Sequence, residues 1–135
     1  MDSLGTFNER ETPVYYALIQ DDLGQTLDLT AADAITLTVY DVLTGTVLNS
    51  RNAQDVKNAN GVTVYATAQS VTVGAETVNY NLRWPLVSAE TAIVNTMRPL
   101  DQLEEHRAMF AVTWSTTKYK PHECCWFVRN LKKVA

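Results

Sequence analysis

The chain has 135 residues, of which 46% are hydrophobic and 19% charged, with only 5 glycines and 4 prolines. This excludes a disordered or low-complexity polypeptide and fits one domain with a single core. The net charge of −4 is unevenly spread: residues 1–117 carry 6 basic and 14 acidic side chains, whereas residues 118–135 carry 5 basic and 1 acidic. An acidic body argues against nucleic acid as a partner, and the basic C-terminal end reads either as a solvated basic tail or as a surface for head-to-tail contact between copies or with an acidic neighbour.

No apolar run approaches the ~18 residues of a membrane span, and Met1–Gly5 has neither the basic start nor the apolar segment of a signal peptide. The expectation is a water-soluble protein made in the cytosol, with no membrane partner. Cys124 and Cys125 are adjacent. A disulfide between neighbours is strained, so they read as two free thiols on a strand, one facing the core and one facing out.

Residues 1–12 are polar and aperiodic, which predicts a flexible N-terminal arm preceding a domain over 13–135. The first predicted strand, Pro13 to Gln20, is rich in aromatic and β-branched residues. Asp21-Asp22-Leu23-Gly24 supplies a turn, and Gln25 to Leu29 returns as the other arm of a hairpin. Ala34 to Asp41 alternates cleanly, with Ile35, Leu37 and Val39 on one face and Thr36, Thr38 and Tyr40 on the other. Thr44-Gly45 marks a turn, Thr46 to Asn49 pairs back, and the polar stretch Ser50 to Asn60 reads as loop.

Alternation resumes from Gly61 to Ala68, and after Gly74 a strand places Val78, Tyr80, Leu82 and Trp84 on one face until Pro85 ends it. Leu86 to Glu105 reads as a long inserted loop, with a short helical turn capped around Ser88 to Thr91. Ala108, Phe110, Val112 and Trp114 share a face of the next strand, and Cys124 to Val134 forms the last one after a turn at Lys118 to Pro121. Turn signals near every tenth residue, without long helices between, predict an all-β antiparallel sandwich of about seven or eight strands. Its predicted core contains Val14, Tyr16, Ile35, Leu37, Val39, Val64, Tyr80, Leu82, Trp84, Phe110, Val112, Trp114 and Phe127. Burial of these side chains, each contributing about 1.5 to 3 kcal/mol, stabilises the domain without disulfide, metal or cofactor.

Groupings with chemistry are sparse. His122, Glu123, Cys124 and Cys125 are metal-ligand types, but zinc sites usually need two ligand pairs and His106 belongs to no such pair. A cysteine nucleophile with His106 as base has no local support. There is no GxSxG, HExxH, phosphate loop or dinucleotide fingerprint. Asp21-Asp22 and Glu104-Glu105 read as turn and solvated-loop carboxylates. Tyr15, Tyr40, Tyr65 and Tyr119, if outside the core, suit carbohydrate recognition as an alternative to cross-strand packing.

Taken in order, Tyr15-Tyr16-Ala17-Leu18 with Asp22-Leu23-Gly24, Leu27-Asp28-Leu29-Thr30, Ile35 to Asp41, Val78-Asn79-Tyr80-Asn81-Leu82 and Met109 to Trp114 resemble a family of small immunoglobulin-like proteins of tailed phages. That family includes the N-terminal module of baseplate upper proteins. Where the family tends to have a short turn, this chain has Leu86 to Glu105, and Pro121-His122-Glu123 precedes Cys124-Cys125-Trp126 where a Gly-Tyr step is more typical.

The resemblance implies an immunoglobulin-like sandwich in a virion, as part of capsid, neck, tail or baseplate, acting without catalysis. Its partners are then other virion proteins and further copies of itself. The expected contact regions are the arm, with Phe7 and Arg10, the inserted loop, with Pro99 and Leu100, and the basic end, with Arg129, Lys132 and Lys133. Recognition of a host-surface carbohydrate is the alternative.

Overall fold

The computed structural model describes residues 1–94, 103–114 and 118–129. Within them the chain is all-β, with two sheets packed face to face as a sandwich. The strands are β1 (Asp2–Asn8), β2 (Val14–Ala17), β3 (Ala34–Asp41), β4 (Gln54–Asp55), β5 (Thr63–Val73), β6 (Glu76–Pro85), β7 (Leu103–Trp114) and β8 (Lys118–Arg129). Two single-turn 3-10 helices, η1 (Leu29–Ala31) and η2 (Ser88–Glu90), lie between them. One sheet has the order β1-β8-β7-β3-β4 and the other β2-β6-β5.

The alternation of β3 does what its sequence dictates: Ile35, Leu37 and Val39 are fully buried, and so is Asp41, which occupies the next inward position. β3 runs antiparallel to β7, with Leu37 opposite Phe110 and Asp41 opposite His106. The inward face of β7 therefore holds Glu104, His106, Ala108, Phe110 and Val112. Trp84 from β6 fills the space between the sheets, its ring edge-on to Phe110 at 5.6 Å and tilted against Trp126 at 5.7 Å. Such aromatic pairs add about 0.5–1.5 kcal/mol beyond area burial.

Several expectations need correction. The segment expected as a flexible arm is largely strand β1, which pairs in parallel with β8, Ser3 opposite Cys125 and Phe7 opposite Val128. Its polarity fits an edge strand whose outer face meets water, while Leu4 and Phe7 pack against the core. β2 has the opposite facing from that expected: Tyr15 and Ala17 are buried, Val14 is exposed and Tyr16 half-buried, because Tyr15 pairs with the inward Trp84. β8 is likewise shifted by one, so Cys124, Trp126 and Val128 face inward and Phe127 is only partly buried. A one-residue change of facing exchanges every side chain between faces. The two free thiols divide accordingly, Cys124 buried and Cys125 half-buried.

On β6, only Leu82 and Trp84 of the expected inward set are fully buried. Tyr80 instead meets Tyr16 at 4.8 Å and Tyr65 at 5.6 Å between ring centres, next to a break in the β5–β6 register between Val64 and Gln69. Trp114 is half-buried rather than buried. The stretch Ser50 to Asn60, expected as loop, contributes β4, and the hairpin expected to return through Gln25 to Leu29 is reduced to one bridge, Gln20 with Thr26, followed by η1. The long insertion is shorter than 86–105: Leu86 packs in the core, η2 forms at the expected helical turn, and Leu103–Glu105 already belong to β7.

Candidate functional site

Four segments meet at one end of the sandwich. β1 runs out alongside the end of β8, where Asn8 pairs with Arg129 and the Glu9 N–H donates to the Arg129 carbonyl at 3.0 Å. The chain then turns through Arg10, whose backbone takes φ 68°. Its N–H donates to the Thr91 carbonyl at 3.2 Å, and the Thr91 hydroxyl donates to the Glu11 carbonyl at 2.7 Å. β7 starts at the same place, with Leu103 opposite Arg129. Arg10 and Arg129 are both exposed there, while Phe7 is half-buried. Phe7 lines an open groove of about 550 Å³ together with Leu4, Val14, Tyr16, Val73 and Val78. Pro99, Leu100, Lys132 and Lys133, the other residues expected to make contacts, lie outside the described residues.

Beneath that surface is a buried polar cluster. Glu90, the last residue of η2, is fully buried. Its Oε1 meets Arg51 Nη2 at 3.3 Å, and its Oε2 accepts from Asn49 Nδ2 at 2.8 Å. Burial pushes the Glu90 carboxyl above its usual range, opposed by the nearby Arg51 charge. Arg51 is itself only 4% exposed and lies over the Trp84 ring at 5.6 Å. Its guanidinium also donates to Gln54 Oε1 and to the Asn60 carbonyl. One planar fork thereby ties the loop after β3 to η2 and to the central tryptophan.

Next to it stand Asp41, Glu104 and His106, all fully buried. Asp41 ends β3 because its Oδ2 accepts from both the N–H and the hydroxyl of Thr44, which starts the turn closed by Gly45 at φ 74°. His106 lies across the ladder from Asp41, and Glu104 lies two residues earlier on the same face of β7. His106 Nδ1 is 2.9 Å from the Glu90 carbonyl, an acceptor only, so Nδ1 carries a proton. His106 Nε2 is 2.7 Å from Glu104 Oε1, which also accepts from the Val94 N–H at 2.7 Å. The expectation that Glu104 is a solvated-loop carboxylate is thus corrected. Glu105, on the other face, is half-buried and bonded to Arg107 at 2.8 Å.

A second polar group spans the sheets at the other end of β1. The Tyr15 hydroxyl donates to Asp2 Oδ2 at 2.6 Å and lies 2.6 Å from His122 Nε2. One hydroxyl proton serves one acceptor, so the His122 Nε2–H donates to the Tyr15 oxygen and a chain runs from β8 through β2 to β1. Burial raises the Tyr15 and Cys124 pKa values far above their usual ranges and lowers that of His122. Cys124 is therefore a buried neutral thiol, poorly suited to attack a substrate. Of the tyrosines expected outside the core, Tyr119 is exposed and Tyr40 and Tyr65 are half-buried, whereas Tyr15 is buried.

The reading from sequence missed Asp41, Glu104 and His106 as a group. The signal was present in the alternation: the inward positions of β3 extend to Asp41, and those of β7 extend backward from Ala108 to His106 and Glu104. No family model, curated protein or solved structure matches the chain.

Proposed function

We propose that the chain is a structural component of a tailed-phage virion, an immunoglobulin-like sandwich that works by protein–protein docking in repeated copies rather than by catalysis. The observation that carries this reading is the convergence of the N-terminal segment, η2 and the ends of β7 and β8 on one face, held by the Glu9–Arg129 and Arg10–Thr91 backbone bonds. These flank the segments that the sequence marks for contact, and the exposed Arg10 and Arg129 stand there beside Glu9 and Glu11, so the face offers charges of both signs for complementary pairing with a partner. The resemblance to small phage proteins supplies the class of particle.

The test is co-sedimentation of the purified chain with particles of the phage that encodes it, at low and raised salt. Binding weakened by Arg10→Glu with Arg129→Glu supports the reading. A free monomer that ignores particles at every salt concentration overturns it.

A second reading, recognition of a host-surface carbohydrate, is favoured by the contact group of Tyr16, Tyr65 and Tyr80, whose partly exposed rings offer faces for sugar stacking. Glycan-array binding that disappears in Tyr65→Ala supports it, and a blank array removes it.

A further inference from the structure

We propose that Asp41, Glu104 and His106 bind one divalent first-row transition-metal ion, with Zn2+ as the representative, that staples the end of β3 to the start of β7. A carboxylate oxygen from each acid and a ring nitrogen of the histidine lie within 4.8 Å of one another, and all three residues are fully buried. Ligand atoms at roughly 2.0–2.1 Å from a tetrahedral ion are about 3.3 Å apart. The group closes on an ion through side-chain adjustments of an ångström or so, with the backbone register kept.

The independent observation is Asp41 Oδ1. It is buried and has no hydrogen-bond partner among the described residues, although Oδ2 of the same carboxylate is satisfied by Thr44. A buried carboxylate oxygen without a donor is costly, and a cation is the ligand that removes the cost. His106 is oriented for the same role. Its Nδ1–H is fixed on the Glu90 carbonyl, the outer-shell bond that metal-binding histidines usually make, and this turns Nε2 toward Glu104. The short Nε2 to Oε1 contact requires a proton or another cation between the two atoms, and a metal ion takes that place.

The donor set selects the class of ion. Two carboxylates with one imidazole suit Zn2+ and its neighbours, whereas Mg2+ and Ca2+ take oxygen ligands. The three side chains supply three ligands, and the second oxygen of a carboxylate or a water completes the coordination of the buried ion. The neighbouring Glu90 is not needed as a ligand, since Arg51 and Asn49 hold its carboxylate.

The test uses the full chain, stripped with a chelator, dialysed and titrated with Zn2+ by calorimetry alongside thermal melts. The expected result is one ion per chain, a higher Tm with Zn2+ and no rise with Mg2+. Asp41→Asn should weaken the affinity by about tenfold or more, while His122→Gln, next to the two cysteines, leaves it unchanged. Because substitutions at a buried site can prevent folding, the wild-type chain supplies a second measurement. It has 2 histidines, and on adding Zn2+ the imidazole resonances of His106 should shift and those of His122 stay. The absence of saturable binding, or binding that survives in Asp41→Asn and is lost in His122→Gln, overturns the proposal, as does a shift confined to His122.

Discussion

Asn81 supplies with its side chain the rung that a longer β2 would have supplied to β6: its Oδ1 accepts from the Ile19 N–H at 2.8 Å and its Nδ2 donates to the Ile19 carbonyl at 3.0 Å. The same Nδ2 donates to the Leu27 carbonyl at 2.9 Å. A fully buried amide thus satisfies three backbone groups where the chain leaves the sheet after Ala17 and folds back toward η1.

Asn81→Ala should therefore cost more than the loss of a surface amide. The Ile19 N–H and the Leu27 carbonyl lose the Asn81 side chain as partner, while the Ile19 carbonyl keeps the Leu27 N–H at 3.1 Å, and each buried backbone group left without a partner costs about 1–3 kcal/mol. Urea denaturation should show a lower midpoint with an unchanged slope; a midpoint within error of wild type would mean that water or backbone movement replaces all three bonds.

Arg51→Ala leaves the buried Glu90 carboxylate with Asn49 as its remaining side-chain partner and uncovers the Trp84 ring. Breaking a buried pair from one side costs about 3–5 kcal/mol, because an uncompensated charge stays behind. Adding Glu90→Gln should recover part of that loss. A double-mutant cycle that shows no coupling between the two positions would contradict the geometry.

His122 gives the pH dependence a definite sign. Burial lowers its folded pKa from 6.5, against the pull of Asp2, while the amino terminus and Lys120 push the same way as burial. The unfolded chain consequently binds the proton more readily. This part of the stability is fully present above pH 6.5 and falls as the pH drops from there toward the folded value. One such proton changes stability by at most about 1.4 kcal/mol per pH unit. His122→Gln, whose amide places a donor near the position of Nε2 but does not titrate, should flatten the Tm profile between about pH 5 and pH 8. An unchanged profile would assign the acid sensitivity to another group.

Deleting Met1–Asn8 tests whether β1 is part of the sheet in solution. The truncation removes Leu4 and Phe7 from the flank of the core, takes Asp2 from Tyr15, and leaves the β8 edge open. A loss of roughly 2–3 kcal/mol is expected from the two half-buried side chains, together with self-association through the bare edge. A truncated chain with wild-type stability that remains monomeric would return this segment to the status of an arm.

The alternation of β3 and of residues 108–112, the turn signals and the scarcity of helix-forming stretches determined a β-sandwich and much of its core from the sequence alone. Period-2 patterning is a local property, and a strand with one apolar face needs no tertiary information to declare that face. The same patterning failed for β2 and β8, where Tyr15-Tyr16 and Trp126-Phe127 put two aromatic residues side by side. Either register buries an aromatic ring there, so pairing with neighbouring strands, Tyr15 to Trp84 and His106 to Trp126, settled the facing. It also failed for β1, whose polar residues carry no period and whose strand conformation comes from the β8 edge beside it. The buried polar end depended on tertiary structure in a stronger sense. Asp41 and His106 are far apart along the chain and look unremarkable in it; only the antiparallel register of β3 on β7 sets one opposite the other and excludes the water that would otherwise solvate both.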